Sequence, residues 1–362
     1  MKMHMGMRKA RSMACEFVMD GHPDKVCDQI ADAILDAALA GDPRSRVAME
    51  VTGGHGLVVV IGEMTTGTRF DIGHIVRQTY AHIGHDHPLG VCVNVVVQSP
   101  HIAQGVDRGG AGDQGIMVGY AVNDGPNGMP RSWTTARALC TRMRDLRTQK
   151  ILPYLRPDGK SQITMIGDHV TQVTLAAHHS EEVDLARVRA DLLTHVVRPI
   201  VPDIHEDAVV VNGTGTFVLG GFDADSGTTG RKLMVDNYGP NSEVGGGCYS
   251  GKDPSKVDRS AAYFCRLIAK SIVANGLAPE ALVKVAFAIG RETPTLISVE
   301  TDLAEAHAMK LEQKVRETFD FRPEAMIERL GLLHPTGWCY RDTAAAGHYG
   351  DDRFPWEQVV AI

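Results

Sequence analysis

The chain has 362 residues, 43% of them hydrophobic, 22% charged and 6% aromatic, with a formal net charge of −7 at pH 7. This composition excludes a disordered or collagen-like chain, and at about 150 residues per domain the length predicts two to three domains. The acidic balance argues against a broad nucleic-acid surface, and apolar runs such as 57–61 fall far short of the ~18 residues of a membrane span. Residues 1–14 carry Lys2, Arg8, Lys9 and Arg11 among methionines and lack the apolar stretch of a signal peptide, so they read as a loose N-terminal extension. An amphipathic helix is predicted over 23–39 from Val26, Ile30, Ile34 and Ala37/Ala38, with Pro23 at its first position and Gly41-Asp42-Pro43 as its stop. Strands at 46–51 and 57–61 follow, flanking a turn at Gly53-Gly54-His55-Gly56.

A basic helix is predicted over 133–150, then strands at 162–166 and 172–177 and a helix over 182–197. A strand at 216–219 leads through a glycine-rich region to a long helix, 254–274, closed by Asn275-Gly276. A strand at 283–289 and a helix over 305–319 complete the series. Mixed elements without strict βαβ alternation predict an α+β fold, with helices on one face of each sheet. The element mix recurs, yet no fixed sequence period accompanies it. Seven scattered cysteines without a CxxC pair read as reduced thiols of a cytoplasmic enzyme. The glycine-rich segments 105–115, 220–230 and 245–251 are the candidate junctions and ligand loops.

Three generic motifs fail. Gly110-x-Gly112-x-x-Gly115 spells a dinucleotide fingerprint but follows no strand. Gly246-xxxx-Gly251-Lys252 resembles a P-loop, with Asp253 in place of the magnesium-binding hydroxyl. A glycine-rich loop with a lysine entering a helix still suits phosphate, through backbone N–H groups and the helix dipole. His82-x-x-His85-x-His87 has zinc-like spacing but no convincing fourth ligand, and reads as a solvated loop.

A different constellation is stronger. Gly21-His22-Pro23-Asp24-Lys25 puts an imidazole, a carboxylate and an ammonium at a helix N-terminus, with Asp24 and Asp28 at i, i+4. Basic groups recur in Gly230-Arg231-Lys232, in Lys252-Asp253-Pro254-Ser255-Lys256-Val257-Asp258 and in Arg156-Pro157-Asp158-Gly159-Lys160. In the second of these, Asp253 is expected to cap the helix and Pro254 to start it. Lysines, an arginine, a histidine and carboxylates among glycines fit a polyphosphate with Mg²⁺, held between domains.

These segments closely resemble the S-adenosylmethionine synthetase (methionine adenosyltransferase) family from about Glu16 to Trp356. Further matching motifs are Cys27-Asp28-Gln29-Ile30, Gly62-Glu63-Met64-Thr65-Thr66, Gly110-Ala111-Gly112-Asp113-Gln114-Gly115, His179-Ser180-Glu181-Glu182 and Gly347-His348-Tyr349. The resemblance implies three similar α+β domains around a pseudo-threefold axis, in paired subunits with active sites at their interface. It divides the chain into the extension 1–14, an N-terminal domain 15–100, a mobile active-site loop 101–112, a central domain 113–220 and a C-terminal domain 221–362. The implied reaction is attack of methionine sulfur on C5′ of ATP, displacing triphosphate, which is then cleaved to pyrophosphate and phosphate.

The resemblance also implies roles. His22 and Lys160 resemble groups contacting the triphosphate near the breaking bond, and Arg231, Lys232 and Lys252 resemble phosphate clamps. Asp24 and Asp258 resemble ligands of two Mg²⁺ ions, and Glu50 the carboxylate of one K⁺ site. Glu63, Gln98 and Lys256 resemble the methionine pocket, with Asp113 and Asp225 near the methionine amino group and ribose. Phe217 resembles the residue stacking on adenine, and Asp158 and Cys248 fall among the ATP-binding positions. For Glu50 and Gln98 taken alone, the competing reading is a satisfied structural polar group. A homodimer or homotetramer using ATP and L-methionine is implied, with no nucleic-acid or membrane partner. Thr216, Cys248 and a shortened loop after Gln98-Ser99-Pro100 depart from the family pattern. Two other readings are a paralogue adenosylating a different thioether and a silent regulatory subunit. A silent subunit would lose charged site residues, and none is lost here.

Overall fold

A computed structural model describes residues 12–98 and 109–362. Most of the expected extension lies outside the described residues, as do Ser99 and Pro100 and residues 101–108 of the expected mobile loop, Arg108 among them.

One order of elements occurs three times. Strand β1 (Ser12–Val18) precedes helix α1 (Pro23–Gly41), which leads to the hairpin β2 (Arg46–Gly54) and β3 (Leu57–Thr65). Helix α2 (Ile72–Ile83) then carries the chain to β4 (Gly90–Val96), parallel to β3. Strand β5 (Gly115–Val122) precedes α3 (Arg131–Thr148), the hairpin β6 (Leu155–Ile166) and β7 (His169–His179), helix α4 (Leu185–Leu192) and β8 (Val209–Val211). Strand β8 is parallel to β7, as β4 is to β3. The two-residue β9 (Gly227–Thr228) precedes α5 (Val257–Ala274), the hairpin β10 (Glu280–Phe287) and β11 (Leu296–Thr301), and α6 (Glu305–Thr318). Helices α7 (Pro323–Arg329) and α8 (Tyr340–Ala346) end the series.

The sheets do not follow contiguous segments. The strand before each long helix is handed to another unit's hairpin, and the exchange closes in a ring. Strand β1 pairs antiparallel with β6, from Ser12 opposite Ile166 to Val18 opposite Lys160. Strand β5 pairs with β10, from Val122 opposite Glu280 to Gly115 opposite Phe287. Strand β9 returns to β2 through Thr228 opposite Thr52 and Gly227 opposite Gly53. The sheets are therefore β1-β6-β7-β8, β11-β10-β5 and β4-β3-β2-β9. One long helix covers a face of each: α3 on β1 and β6, α5 on β5 and β10, α1 on β2 and β9. The fold is α+β, as expected, and the recurrence that lacks a sequence period is evident in the topology.

Several expectations are corrected. Residues 216–219 form no strand; Phe217 instead accepts from His179 N–H (2.9 Å) and donates its own N–H to His179 Nε2 (3.2 Å). The long helix begins at Val257 with Lys256 as N-cap, so Asp253 and Pro254 precede it rather than cap and start it. His85 is no solvated residue: it is buried, stacks on Tyr80, and its Nε2 lies 3.0 Å from the Gly21 carbonyl.

Candidate active site

Strand β1 and the start of α1 set the first half of the site. Pairing of β1 with β6 continues as Met19 N–H to Gly159 O (2.9 Å) and Gly21 N–H to Pro157 O (3.2 Å). Between Leu155 and Gly159 the β6–β7 register shifts, and this irregularity carries Asp158 out of the regular ladder. His22 is the N-cap of α1: its Nδ1 accepts the Asp24 N–H at 3.2 Å, with Pro23 at the first helical position. An accepting Nδ1 leaves the ring proton on Nε2. Burial, reinforced by Lys232 and Lys160, pushes the His22 imidazole down to about 3, so it is neutral at pH 7.

Asp24 is shut off from solvent and surrounded by donors. It lies 2.8 Å from Arg231 Nε and 2.5 Å from Lys232 Nζ, and it accepts the Thr228 N–H at 3.0 Å. Burial pushes this carboxyl up, but the Lys232 and Thr228 hydrogen bonds outweigh it and hold Asp24 below the usual carboxylate range. Asp158 accepts the Gly221 N–H at 2.8 Å and is pushed up to about 6 by burial. Lys160 and Asp225 both act electrostatically on His22 and on Asp158, so His22, Asp24, Asp158, Lys160, Asp225, Arg231 and Lys232 form one group.

A second group surrounds the loop before α5. Lys252 Nζ lies 2.7 Å from Asp258 Oδ2, and Lys252 bridges to Ala48 on β2. Lys256 pairs with the buried Asp253, which also accepts the Val47 N–H at 2.8 Å and the Ser255 N–H at 2.9 Å. Cys248 stands among Lys252, Glu50, Asp28 and Asp258, and burial pushes its thiol up to about 11. The two groups adjoin where Gly230 meets Cys248: a Cβ on Gly230 would lie 2.6 Å from that of Cys248.

Other expected residues stand apart. Glu63 faces Ala48 across β2 and Val96 across β4, on the same side of its sheet as Glu50 opposite Ile61. Gln98 is buried, with its N–H on Thr65 Oγ1 at 3.3 Å. Asp113 is exposed and accepts the Gln114 N–H at 2.7 Å. Among the described residues, no hydrogen bond or ion pair joins Glu63, Gln98 or Asp113 to the His22 group. Phe217 is half-buried and stacks on His178 at 5.3 Å between ring centroids. His178 lines a 360 Å³ cavity with His85, His87, Arg156 and Asp223, which motif reading missed because these residues come from four segments far apart in the sequence.

Sequence reasoning named Lys25 and Asp28 but missed Asp32, Asp236 and Arg259, which are buried with them behind the site. Lys25 lies 3.1 Å from Asp28 and 2.5 Å from Asp236, and Asp32 lies 2.6 Å from Arg259. The signal was present as aspartates at every fourth position of α1, but their partners lie more than 200 residues away.

No helix among the described residues is long and apolar enough to cross a membrane. Models of the S-adenosylmethionine synthetase N-terminal, central and C-terminal domains match residues 10–102, 108–217 and 219–358. A protein named S-adenosylmethionine synthase from Mycobacterium marinum is 43% identical, over 98% of this chain and 98% of its own. Its namesake from Thermus thermophilus is 44% identical, over 98% of each chain. The Staphylococcus epidermidis one is 42% identical, over 97% of this chain and 96% of its own. With all three domain models matching in order and relatives alike over nearly the full length, the chain belongs to the S-adenosylmethionine synthetase family.

Proposed function

We propose that this chain joins ATP and L-methionine into S-adenosylmethionine, with the His22 and Lys252 groups holding the triphosphate. The observation carrying this reading is the meeting of two loops, Gly230-Arg231-Lys232 and Gly251-Lys252, beside a neutral His22 at the N-terminus of α1. A neutral thioether needs no general base, so the enzyme's work is to align sulfur with C5′, exclude water and stabilise the leaving triphosphate. His22, neutral with its proton on Nε2, is suited to donate to the departing phosphate oxygen. Lys160, Arg231, Lys232 and Lys252 supply positive charge along the chain of phosphates. Glu63, Gln98, Lys256, Asp113 and Asp225 are assigned to methionine and ribose, Phe217 to adenine, and Asp158 and Cys248 to the nucleotide. After transfer, the same cationic groups hold triphosphate for cleavage to pyrophosphate and phosphate.

Asp24 and Asp258 are assigned to Mg²⁺ and Glu50 to K⁺. The donors fit: each is a hard oxygen ligand, and the described residues contain no cluster of three ligands that would cage a metal alone. Mg²⁺ is ordinarily held by one or two carboxylates together with substrate phosphates. When bound, it would neutralise phosphate charge beside Asp24 and Asp258.

A homodimer is supported by the exposed face of the β4-β3-β2-β9 sheet. Leu57, Ile61 and Val96 are exposed there, and Glu50 and Glu63 share that face. A second copy would cover the apolar surface and bring site residues from two subunits together; two such dimers would make a tetramer. Seven unpaired cysteines support a cytoplasmic setting. Mass spectrometry of the purified protein with ATP, methionine, Mg²⁺ and K⁺ tests the reaction: sulfonium product, pyrophosphate and phosphate are expected in equal amounts. Absence of the sulfonium would overturn the transfer, and intact triphosphate would overturn the cleavage. A fully active monomer in analytical ultracentrifugation would overturn the dimer.

A further inference from the structure

Helix α1 carries an aspartate at every fourth position: Asp24, Asp28, Asp32 and Asp36. Each accepts main-chain N–H groups from a segment far along the chain. Asp24 takes Thr228 N–H at 3.0 Å, Asp28 takes Gly230 at 2.8 Å, and Asp32 takes Gly251 at 2.9 Å. Asp36 takes Tyr340 at 2.8 Å and Arg341 at 3.0 Å.

The two middle rungs share a further feature. Gly230 and Gly251 immediately precede Arg231 and Lys252, and both have left-handed backbones, with φ of 76° and 83°. Glycine is the residue that reaches this region readily, and a Cβ would also collide with Cys248 at Gly230 and with the Met49 carbonyl at Gly251. A glycine in that position is a pivot, and the direction of the next side chain depends on what fixes its peptide plane. Here a buried carboxylate fixes it. Asp28 is in turn held by Lys25 Nζ at 3.1 Å, and Asp32 by Arg259 Nη2 at 2.6 Å. Arg259 Nε also donates to the Tyr249 carbonyl at 2.8 Å, so the second loop is tied on both sides of its pivot.

We propose that Asp28 and Asp32 are positioning residues that lock the Gly230 and Gly251 pivots and thereby aim Arg231 and Lys252 at one triphosphate. This rests on the assignment of Arg231 and Lys252 to the triphosphate. One rigid helix registers two cationic loops that are adjacent in space and twenty-one residues apart in sequence. Asp36 belongs to the same series but holds the start of α8, away from these cations, which makes it an internal control.

The test is calorimetric binding of inorganic triphosphate with Mg²⁺ to the full-length protein, alongside steady-state kinetics. Asp28→Ala and Asp32→Ala are each expected to weaken triphosphate binding about tenfold, the scale of one lost charge-assisted hydrogen bond. Methionine KM should stay within about twofold, because uniform loss of folded protein would not single out one ligand. Asp28→Asn keeps an acceptor for Gly230 and should recover most of the affinity. Asp36→Asn should lower Tm and leave triphosphate binding unchanged. Where an alanine variant does not fold, amide exchange in the wild-type enzyme decides: the Gly230 and Gly251 amides are expected to be strongly protected, and rapid exchange at either would overturn its rung. Wild-type affinity in Asp28→Ala, with affinity lost in Arg231→Ala, would overturn the positioning role. Unchanged affinity in Arg231→Ala itself would instead remove the phosphate assignment on which the proposal rests.

Discussion

Lys25 Nζ stands 2.5 Å from Asp236 Oδ1 with both side chains almost wholly out of water. Burial alone would lower the ammonium's pKa, but Asp236 and Asp28 together raise it, so Lys25 stays charged. Removing one member of a buried pair leaves an uncompensated charge, which costs about 3–5 kcal/mol, whereas an exposed pair contributes under about 1 kcal/mol. Lys25→Met is therefore expected to destabilise the protein severely. Arg353→Ala, which breaks the largely exposed 2.8 Å contact with Asp351, should change little. Urea unfolding of both variants checks the contrast, and equal losses would contradict it.

Chemistry and binding should separate by residue. His22→Asn and Lys160→Met should each lower kcat by roughly 10²-fold or more, the scale of losing one transition-state electrostatic contact. Glu63→Gln, on the separate sheet face, should act chiefly on methionine KM. Near-wild-type turnover in His22→Asn would remove His22 from the departing phosphate.

Helix α1 was legible because its apolar repeat, Pro23 and the Gly41-Asp42-Pro43 stop all agree. The 216–219 segment misled because Thr-Phe-Val-Leu has strand-like residues, while its backbone is satisfied in part by the His179 ring, a long-range substitution no local pattern carries. Sheet membership was illegible for a related reason. Strand β9 has two residues, and its place beside β2 is set by packing against α1 rather than by any pattern in Gly227-Thr228. The basic loops could be found from composition alone. Asp32 and Asp36 could not be assigned, since an aspartate every fourth residue reads as a solvated helix face until the distant N–H donors are known. His85 likewise read as solvent-exposed until Tyr80 and the Gly21 carbonyl were seen to enclose it.

The protonation of Asp158 should appear in stability. Burial raises its folded pKa to about 6, above the ordinary carboxylate value, so the folded state binds the proton more tightly than the unfolded state. Its stabilising contribution is therefore fully present below about pH 4 and is lost as pH rises through about 6. Asp158→Asn stays neutral and can still accept the Gly221 N–H. Relative to wild type it should gain stability between pH 4 and 6, reaching on the order of 3 kcal/mol and levelling off above pH 7. Denaturation curves at several pH values check this, and a variant parallel to wild type throughout would exclude a raised pKa.

The assignment of Asp258 can be tested without touching the carboxylate. A Cβ on Gly247 would lie 2.1 Å from Asp258 Oδ1 and 2.3 Å from its Cγ, while one on Gly246 would meet nothing within 4 Å. Gly247 has no left-handed backbone, so alanine suits its main chain and the collision falls on the end of a movable side chain. Gly247→Ala should therefore fold with a Tm close to wild type while turning the Asp258 carboxylate away from its place beside Lys252. Displaced metal-site geometry typically costs about 10–100-fold in metal affinity. The Mg²⁺ concentration for half-maximal activity should rise about tenfold or more in Gly247→Ala and stay unchanged in Gly246→Ala. Equal Mg²⁺ requirements in the two variants would mean that Asp258 is not a magnesium ligand and that its partnership with Lys252 serves the loop alone.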